Sequence, residues 1–281
     1  MQNFNATKLT CPIDGDSLVL NEKQLQCCNG HSFDIARQGY VNLLPVQHKR
    51  SKEPGDSKEM VVARTLFLNS DIYLPIAKKL LQIVKSKSIG STLTILDAGC
   101  GEGYYLDYII NSLKATGLNP NSIGLDISKH AIIAAARRNK NITWLVASNR
   151  QPPVISNSVD IIICVFGFQS FEGFNKILQH GGLIILVDPG PNHLKELRNI
   201  IYNDIRESEP TSLVEAEKLG FNLVDTQQLQ FKTGDIDNST IQSLLLMTPH
   251  FFRANKAGRD AAIALQNIDL SVDVVFRVLK R

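Results

Sequence analysis

The chain has 281 residues, of which 43% are hydrophobic and 20% charged, with a net charge of +3. That length suits roughly two average domains, or one large α/β domain with an appended module, and area scaling buries about three quarters of the extended chain's surface, enough for a core without staples. The composition excludes extensive disorder, no apolar run approaches the roughly 20 residues of a spanning helix, and Met1 to Thr10 lacks the apolar centre of a secretory signal, so a soluble, cytoplasmic protein without a membrane partner is expected.

In chain order, Leu9 to Asp34 is short and turn-rich, with too little apolar sequence to bury much of itself. A module of that size usually needs a metal. Gly39 to Asp56, with two prolines and a cluster of positive charges, reads as an extended connector. From about Ser57, Met60, Ala63, Arg64, Phe67 and Leu68 fall at helical spacing, and a second helix is expected over Tyr73 to Val84.

Short β-rich runs then alternate with amphipathic stretches. Strands are predicted at Leu93–Gly99, Ser122–Ser128, Asn141–Ser148, Val159–Phe166 and Gly182–Asp188, and helices at Tyr104–Leu113, Lys129–Arg138 and Phe171–Leu178. Strands apolar on both faces and joined by helical crossovers predict a doubly wound, mostly parallel sheet. Leu223–Lys232 and Ser271–Leu279 instead alternate, with Val272, Val274, Phe276 and Val278 on one face. Half-exposed antiparallel edge strands are expected there.

Three of the five cysteines (Cys11, Cys27 and Cys28) crowd into the first 28 residues. In a reducing compartment, clustering points to metal before disulfide. Cys11, Asp14, Cys27 and His31 have the spacing of two zinc knuckles, and thiolates with an imidazole suit Zn²⁺ in a closed structural site. Asp14 stands where a second cysteine would be usual. Cys28 is the alternative ligand, and a metal-free knuckle held by packing is the alternative to a zinc site. Cys100 and Cys164, in or beside strands, are read as packing residues.

The sharpest motif is Asp97-Ala98-Gly99-Cys100-Gly101-Glu102-Gly103-Tyr104. A strand runs into a glycine turn that opens a helix, so backbone can approach a ligand at the strand's carboxyl end. A dinucleotide fingerprint places its third glycine at the sixth position; here it falls at the fifth. Asp97 could accept the amino group of a zwitterionic ligand, and a diphosphate would be repelled by it. Asp126, followed by Ile127, ends the second strand where a carboxylate can hold a ribose diol, while Ser148 and Asn149 end the third, near an adenine edge. Together these positions resemble the S-adenosylmethionine-dependent class I methyltransferases, with Gly99, Gly101, Glu102 and Gly103 forming the cofactor loop.

A narrower resemblance spans nearly the whole chain. It runs through His31-Ser32-Phe33-Asp34, Gly39-Tyr40-Val41-Asn42-Leu43-Leu44-Pro45, Pro54-Gly55-Asp56-Ser57, Gly124-Leu125-Asp126, Pro189-Gly190-Pro191-Asn192-His193-Leu194 and Leu246-Met247-Thr248-Pro249. These segments are similar to the bacterial 23S rRNA (guanine-N1)-methyltransferases. The resemblance implies methyl transfer to a guanine in a hairpin loop of 23S rRNA, Tyr73 and His193 in the cofactor pocket, and a homodimer. It implies three parts: a zinc-binding RNA-recognition module over 1–38, a basic connector over 39–60 and the methyltransferase domain over 61–281. Phe166-Gly167-Phe168-Gln169-Ser170 departs from the family's tyrosine-alanine-proline-cysteine pattern, so a related methyltransferase of another nucleotide or a small molecule, or a silent RNA-binding relative, are the alternative readings.

Guanine N1 carries a proton at neutral pH and lies on the Watson–Crick edge, so the base must leave its stack and find an acceptor. Asp188 is the candidate base, with His193 also placed for it; the alternative makes Asp188 a turn residue and His193 a cofactor contact or helix cap. RNA contacts are expected at His48, Lys49, Arg50 and Lys52, with Tyr40 nearby for stacking. Residues 1–60 carry seven basic and seven acidic side chains, so only this cluster, not the module, is positive. A solvated linker cluster is the alternative.

Overall fold

The computed structural model describes residues 4–48, 51, 53–87, 93–202, 210–248 and 254–281. Among them, β1 (Val19–Asn21), β2 (Gln24–Gln26) and β3 (Ser32–Asp34) form a small antiparallel sheet. The main sheet has the order β10-β11-β9-β8-β5-β6-β7-β4. Its strands are β4 (Tyr40–Asn42), β5 (Thr94–Ala98), β6 (Asn121–Asp126), β7 (Thr143–Val146), β8 (Val159–Val165), β9 (Leu178–Pro189), β10 (Asn222–Asp237) and β11 (Asn267–Lys280). From β4 to β9 every pairing is parallel, whereas β11 runs antiparallel to both β9 and β10.

The helices between these strands are α1 (Lys58–Leu68), α2 (Leu74–Lys87), α3 (Tyr104–Lys114), α4 (Lys129–Arg138) and α5 (Phe171–Ile177), followed by α6 (Lys195–Ile201), α7 (Val214–Lys218), α8 (Asn238–Met247) and α9 (Lys256–Ala264). Side chains alternate across each strand, so one run supplies two cores. In β8, Ile161, Ile163 and Val165 join the core under α1 to α4, while Ile162 and Cys164 join the opposite core with Phe171 and Phe174 of α5. Among the described residues, no helix is long and apolar enough to cross a membrane.

The opposite core also takes in Leu9, Cys11, Leu18, Leu25 and Cys27. The N-terminal segment thus buries against the sheet the apolar surface it cannot bury alone, and Leu9 bridges to Val154. The segment expected as a connector contributes β4, which pairs with β7 at Tyr40↔Trp144 and forms the sheet's edge.

The expectation of half-exposed edge strands holds for β10 and fails for β11. β10 is the outer strand, and β11 lies inside it, paired on both sides. Val272, Val274, Phe276 and Val278 do share one buried face. The intervening Asp273 and Arg277 are buried too, at 1% and 7% exposure, and the period-2 pattern misleads because their carboxylate and guanidinium Nη groups bond to protein partners rather than to water.

One aromatic ring fills the space over two glycines beside the parallel strands. Trp144 is fully buried and donates its indole N–H to Asn139 O at 2.7 Å. A Cβ on Gly124 would lie 2.2 Å from its ring, and one on Gly103 2.7 Å from it. Gly124→Ala should therefore destabilise the protein by about 1–3 kcal/mol through overpacking. Chemical denaturation of this variant, of Trp144→Leu and of the double variant checks the cause: Gly124→Ala should cost less in the Trp144→Leu background than in the wild type.

Candidate active site

The glycine turn is held open by backbone geometry. Gly99, Gly101 and Gly103 have φ of 83°, 56° and 86°, in the left-handed region that side chains disfavour. The Gly99 and Cys100 amides donate to Leu125 O at 2.9 and 3.0 Å, and the Gly101 amide donates to Asp126 Oδ2 at 2.9 Å. A Cβ built on Gly99 would only touch Asn149, at 3.7 Å, and one on Gly101 would lie 3.3 Å from the Arg64 guanidinium, so the loop lines the cavity with bare backbone. Gly103 departs from its expected role: it begins α3 and packs on Trp144, outside the cavity lining, because its missing Cβ makes room for the indole.

Above the turn lies a cavity of about 1200 Å³. It is lined by Tyr73, Asp97, Gly99, Gly101, Glu102, Asp126, Ile127, Ser148, Asn149 and His193, gathered from the carboxyl ends of the parallel strands, the loops that follow them and the turn before α2. Sites in open α/β sheets form at that end. Asp188 lies in the same lining.

The electrostatics favour a cationic ligand. Asp97 is 1% exposed and its Oδ1 has no hydrogen-bond partner among the described residues. Burial, and then the neighbouring Asp126 charge, push its pKa up to about 8. Burial also raises Asp126, opposed by the amides of Ser128 and Gly101. Glu102 turns its Oε2 to Arg138, 2.7 Å from Nε and 2.5 Å from Nη2, and leaves Oε1 unpartnered. The unsatisfied carboxylate at Asp97, the open glycine cradle and the acceptor at Asp126 fit S-adenosylmethionine, whose ammonium and sulfonium are positive. They do not suit a diphosphate.

Tyr73 and His193 meet across the cavity wall, Oη to Nε2, at 3.2 Å. His193 Nδ1 accepts the Asp273 amide at 3.3 Å, so the neutral ring carries its proton on Nε2 and donates it to the tyrosine oxygen. β11 builds this corner: Gly190 N–H donates to Asp273 O at 2.8 Å, and Asn192 N–H to Asp273 Oδ2 at 3.0 Å. Asp188 is an ion-pair partner rather than a turn residue. Arg277 Nη2 lies 2.6 Å from its Oδ2, and Gln169 Nε2 donates to its Oδ1 at 2.8 Å.

In the N-terminal module, one donor atom each from Cys11, Asp14, Cys27 and His31 lies within 4.8 Å of the others. The shorter separations are 2.8 Å (His31 Nδ1 to Asp14 Oδ2), 3.3 Å (Cys27 Sγ to Asp14 Oδ2), 3.4 Å (Cys27 Sγ to His31 Nδ1) and 3.6 Å (Cys11 Sγ to His31 Nδ1). A tetrahedral zinc site with ordinary bond lengths has edges of about 3.3–3.8 Å, so the set fits with little adjustment. Cys28 is outside it: its exposed sulfur donates to Asp16 Oδ2 at 3.2 Å. The backbone at Cys27 and Cys28 turns the two side chains apart, as adjacency would suggest.

The expected RNA contacts fare differently. Tyr40 is 6% exposed and part of the main core, so its ring is not available for stacking. It sits on edge strand β4, but its alternation turns it inward. Lys49, Arg50 and Lys52 lie outside the described residues, and His48 ends a 3-10 turn, Val46–His48. Sequence reasoning missed Arg64 and Arg150 as site residues and named Phe166 and Phe168 only within the segment that departs from the family pattern; all four line the cavity. Arg64 was visible only as a helix-spacing residue; it pairs with Asp56 and reaches Met247 O at 3.4 Å. Two phenylalanines flanking a glycine after a buried strand were the available signal for the others.

Comparison with known proteins places these observations in a family. The N-terminal family model of RlmA, a zinc ribbon, matches residues 9–52, and a methyltransferase-domain model matches residues 95–182. The chain is 27% identical over 270 residues to YxjB of Bacillus subtilis, a protein named for 23S rRNA (guanine-N1)-methyl transfer, covering 94% of each chain. It is 29% identical over 244 residues to the 23S rRNA (guanine(748)-N(1))-methyltransferase of Streptomyces fradiae, covering 86% of this chain and 84% of the other. A Micromonospora griseorubida protein, also named for 23S rRNA (guanine-N1)-methyl transfer, is 31% identical over 209 residues, covering 67% of this chain and 68% of its own. The chain therefore belongs to the 23S rRNA (guanine-N1)-methyltransferase family, with a zinc ribbon ahead of an S-adenosylmethionine-dependent methyltransferase domain.

Proposed function

We propose that the protein transfers a methyl group from S-adenosylmethionine to N1 of a guanine in a hairpin loop of 23S rRNA. The observation that carries the reading is one cavity holding both a cation-seeking glycine loop, with Asp97 unpartnered, and a second charged wall at Asp188. Bound S-adenosylmethionine supplies a methyl carbon on a sulfonium that leaves as a neutral thioether. The chain's own work is to hold N1, the methyl carbon and sulfur in line, and to receive the proton that N1 loses as its bond to carbon forms.

Among the carboxylates lining the cavity, Asp97, Glu102 and Asp126 belong to the glycine loop, and Asp56 pairs with Arg64. Asp188 is left for the acceptor base. Arg277 holds this carboxylate at the cavity wall, its Nη2 2.6 Å from Oδ2, where it can accept hydrogen bonds from the guanine edge. We assign Asp188 to orienting N1 and taking its proton on the way to solvent. Tyr73 and His193 support the cofactor's methionine end, and Ser148 and Asn149 its adenine. The zinc ribbon and the positive cluster at 48–52 are assigned to RNA contact.

Mapping methylated guanines in large-subunit RNA from cells with and without the protein tests the reading, and one N1-methylguanine should vanish with it. In the purified reaction at saturating cofactor, Asp188→Asn should lower kcat by about 10- to 100-fold with cofactor Kd unchanged; a wild-type rate removes Asp188 from this role.

The cofactor's ammonium needs Asp97 ionised, and its pKa of about 8 means that the carboxyl takes up a proton as pH falls. Cofactor affinity should weaken roughly 20-fold from pH 7.5 to 6.0, the ammonium being mostly charged at both ends of that range. Calorimetry should find a weaker and nearly pH-independent Kd for Asp97→Asn.

Removal of a thiolate should empty the ribbon. Cys27→Ser is expected to lose bound zinc on purification, whereas Asp14→Cys, replacing an oxygen by sulfur, should hold zinc against a chelator that strips the wild type. Metal content by atomic absorption reads both.

A further inference from the structure

The turn after β8 is built to present aromatic rings to the cavity. Phe166 and Phe168 are 41% and 56% exposed, although both line the cavity beside strands whose apolar side chains are otherwise buried. Three anchors fix the turn between them. Phe166 N–H donates to Val187 O at 2.9 Å, and Phe168 O accepts from Asn149 Nδ2 at 2.7 Å. A Cβ on Gly167 would lie 3.1 Å from Cys164 Sγ and 3.2 Å from Ala98 O, so the glycine is pressed onto the end of β5. Phe166 is held at φ 51°, a conformation that a residue with a bulky side chain avoids unless its surroundings impose it.

The rings have different backing. Phe166 lies 5.7 Å from the His193 ring, tilted by 31°, and 6.4 Å from Tyr73. Phe168 has the Arg150 guanidinium 4.7 Å from its centroid. Arg150 is itself exposed, so a cation stands at the rim where a nucleotide's phosphate would follow its base into the cavity.

We propose that Phe168, with Arg150 stacked on one face of its ring, and Phe166 deeper in the turn form a nucleobase-stacking subsite that grips the acceptor guanine of the RNA. The inference rests on the RNA-methyltransferase reading above and adds the residues that recognise the acceptor. A guanine turned out of a hairpin loop loses its stacking neighbours, and a rigid aromatic face returns that contact without ordering a flexible side chain. Stacking tolerates any base, so Phe168 supplies grip and the polar edge at Asp188 supplies discrimination. Arg150 contributes a phosphate contact that weakens with salt.

The test uses the full-length protein and a hairpin from 23S rRNA containing the methylated guanine, with RNA varied at saturating S-adenosylmethionine and cofactor Kd measured separately. Phe168→Ala should lower kcat/KM for RNA by about 10- to 100-fold and leave cofactor Kd within about twofold. Phe168→Trp should retain activity within about threefold, and Arg150→Gln should reduce the salt dependence of RNA binding. Unchanged kcat/KM in Phe168→Ala overturns the subsite while leaving the methyltransferase reading intact. A parallel loss of cofactor affinity also overturns it, by making Phe168 part of the cofactor site. A wild-type protein that neither binds nor methylates the hairpin overturns both readings.

Discussion

The packing of Trp144 against two glycines is the constraint on which the site depends. The indole occupies the space where side chains at Gly103 and Gly124 would be, so β6 and the start of α3 close onto it. That closure brings Asp126, at the end of β6, within 2.9 Å of the Gly101 amide and fixes the glycine turn from below. A turn with positive φ at Gly99, Gly101 and Gly103 has little intrinsic preference for one shape. Here the shape comes from the core behind it, and the first two glycines, unlike Gly103, line the cavity.

The opposite wall is organised by β11. Its apolar residues satisfy one core, and its alternate polar residues, Asp273 and Arg277, reach the loops at the end of β9. Asp273 shapes the turn that carries His193, and Arg277 neutralises Asp188. A buried ion pair contributes little net stability against a well-packed apolar alternative, while loss of one partner leaves an expensive unpaired charge. Its presence beside the cavity is better understood as fixing a charged acceptor in place than as holding the sheet together.

Several groups around the cavity are costly in isolation. Asp97 is buried without a partner for one oxygen, Phe166 holds a left-handed backbone, and Phe168 keeps an apolar ring in solvent. Each becomes favourable when matched: a carboxylate by a cationic ligand, an aromatic face by a planar one. Local rules of folding are relaxed where a ligand is to complete the contacts. The zinc ribbon repeats this logic, since its two thiols, imidazole and carboxylate converge on one point and its apolar residues rely on the sheet.

The parallel sheet was legible in the sequence because buried strands and amphipathic crossovers carry distinct periodicities, and the glycine turn because its spacing excludes a dinucleotide loop. The four candidate metal donors were legible for a similar reason, since short-range spacing within one small module limits where they can go. Tertiary structure decided what depends on distant neighbours. Tyr40 has the composition of an RNA contact but turns into the core from an edge strand, and Gly103 has the place of a ligand contact but accommodates Trp144. β11 looked half-exposed because a local pattern cannot tell a polar side chain facing water from one facing a buried partner. The pairing of Arg277 with Asp188 spans 89 positions in the chain. Only the folded sheet brings such charges together, because their attraction is set by separation in space and by burial, neither of which is encoded in any local stretch of residues.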